Sequence, residues 1–342
     1  MGPPDANKFA GCLLGQCLGD ALGFIVEGQS TKACSSYVDD VVRTGNVRQL
    51  GRGRYPFGQY SDDSQLAREL VVSIVDRGKF DAVDYAGRIA ALFRENRIVG
   101  RGLATQAAAD RLILGIPWYE AGAPPPSAGN GSAMRAGPVG LFCFDHFDDL
   151  VRTAHDQGRI THKDRRCSAG AIAIAGAVAL SLQGKTPRVA DFVTQLSALV
   201  EPFDPILAMG LQRIPQWLCQ SLSTAATEIS KTGVEPGFDY GWQGISPFVT
   251  ASVLWSIYSF LRSPDDYMES ICTAIAVGGD VDTTAAMTGS ISGALVGLDR
   301  LPRELAQKVN DVGTWGHDEL VRLAHRYHSV ATGRSTQSDV LA

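Results

Sequence analysis

The stretch Gly278–Val296, GGDVDTTAAMTGSISGALV, decides the fold. From about Thr284 onward it is alanine, glycine, serine and threonine with a few larger apolar residues, and it is apolar nearly all round. Such a segment predicts a helix buried on every face, with small residues letting neighbouring helices approach closely. Ser168–Leu182, SAGAIAIAGAVALSL, reads the same way. Elsewhere apolar residues recur at helical spacing, as at Leu66, Leu70 and Ile74 or Val249, Val253 and Ile257, and no series of alternating strands is evident. The expectation is a mainly α protein with central small-residue helices.

Between the helices lie two marked breaks. Ala121–Ser132, AGAPPPSAGNGS, holds three prolines and three glycines, which exclude a helix interior. A domain linker would have the same composition, but chemistry-bearing motifs lie on both sides of it. One domain over residues 1–332 with a long functional loop is therefore expected. Gly51–Gly58, GRGRYPFG, reads as a loop entering the next helix. The polar tail after about Ala331 is expected to fray, leaving 333–342 flexible. No internal repeat is evident.

Composition narrows the function classes. The chain has 342 residues, 45% apolar and 20% charged, enough to bury a core without staples. A formal net charge of -5 supplies no general pull toward nucleic acid or anionic membranes. The seven cysteines are scattered, odd in number and without CxxC spacing, which speaks against a disulfide framework or zinc site. With no basic leader and no run of about 18 apolar residues, the sequence reads as cytoplasmic, with no membrane partner and nucleic acid disfavoured.

Two acidic clusters carry the chemistry. Tyr60-Ser61-Asp62-Asp63-Ser64 opens the helix bearing Leu66, Leu70 and Ile74, placing a hydroxyl and two carboxylates at a helix N-terminus. Capping and the macrodipole account for that cluster equally well. Gly278-Gly279-Asp280-Val281-Asp282-Thr283 sits between the apolar run Ile271–Val277 and the alanine-rich helix. Capping does not require two carboxylates beside glycines that admit another group. Brought together, four carboxylates would raise one another's pKa values through repulsion and desolvation. Divalent cations resolve that conflict, and an all-oxygen donor set fits Mg²⁺ or Mn²⁺ better than zinc or copper. A pair of ions sharing carboxylates is the expected arrangement.

The order of motifs resembles the ADP-ribosylglycohydrolase family, whose members include dinitrogenase-reductase-activating glycohydrolases and ADP-ribosylarginine and ADP-ribosylserine hydrolases. Gly15-Gln-Cys-Leu-Gly19-Asp20-Ala-Leu-Gly23 with Glu27 is similar to the family's opening helix and the glutamate at its end. Ser61-Asp62-Asp63-Ser64 resembles the Thr-Asp-Asp-Thr/Ser motif. Gly100-Arg101-Gly102 with Thr105, Gly129-Asn130-Gly131-Ser132-Ala133-Met134-Arg135, Thr161-His162 and Gly278–Thr283 match further elements in order.

The resemblance implies a compact all-α, orthogonal multi-helix fold with a binuclear metal centre in a surface cleft. Ser61, Asp62, Asp63, Asp280, Asp282 and Thr283 would hold two divalent cations, Mg²⁺ or Mn²⁺. Ser61 replaces the more usual threonine but keeps the oxygen. Gly100, Gly102, Asn130, Gly131, Ser132, Met134 and His162 would line an ADP-ribose pocket. On their own, the Asn-Gly loop reads as a plain turn, and His162 reads equally as a group orienting the ribose or diphosphate and as a structural or exposed histidine. Arg135 reads as a phosphate ligand or as one half of a structural ion pair, and Asp20 as a maker of internal hydrogen bonds.

The implied reaction is metal-dependent hydrolysis at the anomeric carbon of ADP-ribose, releasing ADP-ribose from a modified protein. Asp63 is the leading candidate for taking a proton from water, with Glu27 as second acid/base or gate, and the two roles are interchangeable. Arginine-linked ADP-ribose is the favoured substrate. Serine-linked, metabolite-linked or nucleotide-linked ADP-ribose, and a non-catalytic ADP-ribose-binding protein, are the alternatives.

Overall fold

The computed structural model describes residues 4–47, 50–235, 237 and 241–338, of which 334–338 are described as backbone only. The described residues form 17 α-helices and a two-stranded hairpin, so the chain is all-α as expected. The two alanine-rich stretches are helices over Val281–Val296 and Arg165–Ser181, and nearly every residue in them is buried. The other periodic segments are the helices Asp62–Arg77 and Val249–Arg262.

The pairing that positions the site is between the first helix, Ala6–Phe24, and Val281–Val296. Gly11, Gly15, Gly19 and Gly23 recur every fourth residue on one face. A Cβ on each would lie 2.2–2.5 Å from a carbonyl oxygen of Gly293, Gly289, Ala285 or Val281 respectively. The two backbones therefore run antiparallel in direct contact, which only glycine permits at these positions. That contact sets Asp20, one turn before the end of the first helix, beside the start of the helix that carries Asp282.

Three loops complete the site end of the molecule. The backbone of Ile245–Val249 is a spine between two of them: Asp280 N–H donates to Ile245 O (2.8 Å), while Asn130 N–H donates to Pro247 O (3.0 Å) and Val249 N–H to Ala128 O (3.0 Å). Gly279 has φ +88°, and a Cβ there would lie 2.1 Å from Ile245 O, so any side chain would displace the spine. The Glu27 turn is tied to the same loop by Gly28 N–H to Gly279 O (2.8 Å) and Gly279 N–H to Gln29 O (3.0 Å).

Two differences from the sequence reading concern the ends of elements. Gly51–Gly58 contains a hairpin, Gly51–Arg52 against Tyr55–Pro56, too short to show alternation. The last helix runs His317–Ser338, through residues expected to fray; 339–342 lie outside the described residues. One cluster of buried apolar side chains extends from Phe9 to Ala331. No helix among the described residues is long and apolar enough to cross a membrane.

Candidate metal centre and substrate cleft

Helix starts build the floor of the site. Ser61 caps Asp62–Arg77: its Oγ accepts from Asp63 N–H (3.3 Å) and donates to Asp63 Oδ2 (2.9 Å). Asp20 anchors the same turn, Oδ1 accepting Ser61 N–H (2.9 Å) and Oδ2 accepting Ser64 N–H (3.1 Å). Opposite, Thr283 donates its hydroxyl to Asp280 Oδ1 (3.2 Å), and Asn130 Nδ2 donates to Asp280 Oδ2 (2.6 Å). Residues 61–63 and 280–283, more than 200 positions apart, thus share one floor.

Carboxylate oxygens of Asp20, Asp63 and Asp282 lie within 4.8 Å of one another, and so do those of Glu27, Asp280 and Asp282. Asp282 belongs to both groups, so the two overlap at one carboxylate, and oxygen clusters of this kind could hold a hard cation. Asp62 stands at the edge, against the loop that follows: a Cβ on Gly100 would sit 3.2 Å from its Oδ1 and one on Gly102 3.9 Å from its Oδ2. Its own N–H donates to Val99 O (2.6 Å), fixing the loop to the helix.

Electrostatics show what this floor lacks. Burial, with the charges of Asp20 and Glu27, pushes the Asp63 carboxyl up to about 8. Burial also pushes Asp280 and Asp20 each up to about 7, and holds Asp62 and Asp282 well above the usual carboxylate range. The one ion pair to the cluster among the described residues is Arg52 with Glu27, at the rim. Asp63 Oδ1 is buried with no hydrogen-bond partner. An unpartnered buried carboxylate oxygen in an all-oxygen cluster fits a hard divalent cation.

Above the floor is a cleft of about 540 Å³, the size of a small-molecule site. Of the residues singled out in the sequence, Glu27, Asp62, Asp63, Gly100, Gly102, Asn130, Gly131, Met134, His162, Asp280, Asp282 and Thr283 line it. Ser61 and Ser132 do not. Ser61 is fully buried beneath Asp63. Ser132 is also fully buried, its Oγ donating to Cys167 O (2.8 Å), so in place of the expected wall contact its hydroxyl anchors the loop to the helix Arg165–Ser181. Among the described residues Arg135 has no ion-pair partner, and it does not line the cleft: its guanidinium donates to Gln157 and Thr161.

Sequence reasoning missed several wall residues. Arg52 projects from the hairpin, over the Phe24 ring at 4.7 Å and onto Glu27; the hairpin's shortness hid it. Arg101, Leu103, Thr105, Trp242 and Pro247 also line the cleft. Trp242 is part of the wall, whereas Trp255 is fully buried in the core. Arg101 and Thr105 sit inside a motif already singled out, which was the available signal.

Residues 1–337 match the model of the family described as ADP-ribosylglycohydrolase. The chain belongs to the ADP-ribosylglycohydrolase family. As a member it is an ADP-ribosylglycohydrolase, an enzyme that hydrolyses a glycosidic bond. It is 29% identical to the human protein named ADP-ribosylhydrolase ARH3, over 95% of this chain and 93% of that one. It is 26% identical to a Pseudomonas putida protein named ADP-ribosylarginine hydrolase Tri1, over 89% of this chain and 74% of that one. Among solved structures it resembles a chain of an "ADP-ribosylglycohydrolase-related protein complex", with a TM-score of 0.70, 26% identity, and coverage of 95% and 98% of the two chains.

Proposed function

We propose that this ADP-ribosylglycohydrolase cleaves the bond between the anomeric carbon of ADP-ribose and an arginine side chain of a modified protein, releasing free ADP-ribose. The observation that carries this reading is the shared floor of carboxylates under a cleft walled by glycine loops. Glycines 100, 102, 129 and 131 let a ligand approach the backbone, and their side of the cleft would take the ADP-ribose half. The Pseudomonas putida relative's name agrees with an arginine linkage.

Ser61, Asp62, Asp63, Asp280, Asp282 and Thr283 would hold two divalent cations, Mg²⁺ or Mn²⁺, which when bound supply Lewis acidity and orient the ribose hydroxyls and water. The chain's own residues do the rest. Thr283 and Asn130 fix the Asp280 carboxylate, and Ser61 fixes that of Asp63. From the sequence Asp63 is the leading candidate for the base and Glu27 the second. That order is reversed here: the water proton goes to Glu27, whose side chain is 25% exposed at the cleft, because Asp63 is only 2% exposed. The water oxygen bonds to the anomeric carbon as the carbon–nitrogen bond breaks. The departing nitrogen takes up a proton, and the positive charge developing on the sugar faces the carboxylates. The free, reduced cysteines, six of them buried, suit a cytoplasmic setting.

Relatives named ADP-ribosylhydrolase ARH3 align over more of the chain, and that name specifies no arginine, so the second reading is another ADP-ribosyl linkage. Release of ADP-ribose from arginine-, serine- and nucleotide-linked substrates with Mg²⁺, Mn²⁺ or chelator separates the two. Cation-dependent release from the arginine conjugate, lost in Asp63→Asn, is the expected result. Release confined to another linkage selects the second reading; no release from any substrate overturns both.

A further inference from the structure

Behind the cleft wall a buried chain of polar groups ends on His162. Arg135 and Thr161 are fully buried and His162 is 2% exposed. Arg135 Nε donates to Gln157 Oε1 (2.9 Å), and its Nη2 donates to Gln157 O (2.9 Å) and to Thr161 Oγ1 (2.8 Å). Thr161 Oγ1 lies 2.8 Å from His162 Nδ1. Gln157 is itself held, Nε2 donating to Ser132 O (2.9 Å), so the fork is rigid.

This chain leaves one satisfactory placement of protons. A guanidinium only donates, so Thr161 Oγ1 accepts from Arg135. The hydroxyl has a single hydrogen, and its one acceptor among the described residues is His162 Nδ1. Nδ1 must then carry a lone pair, which puts the imidazole proton on Nε2. The opposite tautomer would strand the Thr161 O–H in the interior, a disadvantage of about tenfold or more in population. The Nε2 edge reaches the cleft wall: a Cβ on Gly131 would lie 3.1 Å from Nε2 and one on Gly129 3.6 Å. Burial and the Arg135 charge push the His162 pKa down to about 3, so the ring is neutral at physiological pH.

We infer that Arg135 and Thr161 are positioning residues that lock His162 as a neutral imidazole with its proton on Nε2, presenting a fixed N–H donor to an acceptor oxygen of bound ADP-ribose. The ligand part of this inference rests on the function proposed above; the tautomer does not. A neutral, oriented donor adds directionality without a cation that free phosphate would also satisfy.

The test is the tautomer itself. In the ¹⁵N-labelled full chain, two-bond proton–nitrogen spectra, with His162 assigned by its loss in His162→Gln, should show Nε2 protonated and Nδ1 bare, with and without ADP-ribose. Thr161→Val should yield mixed tautomers and weaken ADP-ribose binding about tenfold, and Thr161→Ser should restore both. A wild-type ring protonated on Nδ1, or Thr161→Val with tautomer and affinity unchanged, overturns the inference. An Nε2-protonated ring in a protein that does not bind ADP-ribose overturns the proposed ligand and leaves the positioning pair standing. The wild-type spectrum needs no variant to fold.

Discussion

The helix Asp62–Arg77 carries two buried ionic regions of opposite design. At its start, Asp62 and Asp63 join Asp20, Asp280, Asp282 and Glu27, and among the described residues the one ion pair to this group is Arg52 with Glu27, at the rim. Less than two turns on, Arg68 is fully buried between Glu69 (2.9 Å) and Asp311 (2.7 Å), with Tyr60 OH also accepting from it and the Trp315 ring 5.1 Å away. Gln59 and Gln65 donate to the remaining Asp311 oxygen and Arg88 lies 3.9 Å from Glu69, so two arginines meet two carboxylates. The second region brings its own counter-ion, whereas the first concentrates carboxylates that could hold a cation and that, without one, keep their protons to unusually high pH.

The comparison breaks most clearly at Asp282, common to both carboxylate groups. Asp282→Asn should abolish cation binding by calorimetry and lower turnover about 10³-fold, the scale of several kcal/mol of lost charge stabilisation, while leaving the fold intact. Turnover within tenfold of wild type would show that the floor is not the reacting centre. Asp311→Ala should do the reverse. It strands Arg68, so urea unfolding should show a loss of about 3–5 kcal/mol, with cation affinity of the folded protein nearly unchanged. A loss of cation affinity with stability preserved would merge the two regions into one.

A smaller effect sharpens the contrast through pH. The carboxyls of Asp63 and Asp280 are raised in the folded protein above the unfolded value near 4, to about 8 and about 7. Between those limits the folded state binds more protons than the unfolded chain. Their contribution to stability is therefore full below about pH 4 and is lost as pH rises through 7–8. In chelator the melting temperature should fall across that window. Mg²⁺ or Mn²⁺ at a fixed concentration, a hundredfold above its Kd at pH 8, should restore about 2.7 kcal/mol at pH 8 and less at pH 5, where protons compete for the same carboxylates. Equal stabilisation at both pH values would mean that cations do not displace those protons.

Most of the chemistry was legible locally. Ser61–Asp63, Gly278–Thr283 and Gly129–Arg135 stand out because each concentrates unusual residue types at a helix start or turn, where only a few physical readings compete. The central helices were legible for a similar reason, since small residues over four turns have few other uses. What escaped depended on contacts. Ser132 sits in a motif yet turns to Cys167, and Arg135 has neutral partners in place of an acid. Arg52 and Trp242 reach the cleft from segments with no local pattern. Asp311 has no signal in its neighbourhood, because its three partners are some 250 positions away.

By itself, the sequence determined that the protein is helical, that its helices include two of small residues, and that acidic clusters head two of them. Period, composition and the needs of helix ends are properties of neighbouring residues. Only the tertiary structure decided that the clusters share a floor, that Asp282 belongs to both halves of it, and which nitrogen of His162 faces the cleft. Those outcomes rest on two glycine-faced helices meeting backbone to backbone and on hydrogen bonds that close far along the chain, and no local stretch contains both partners.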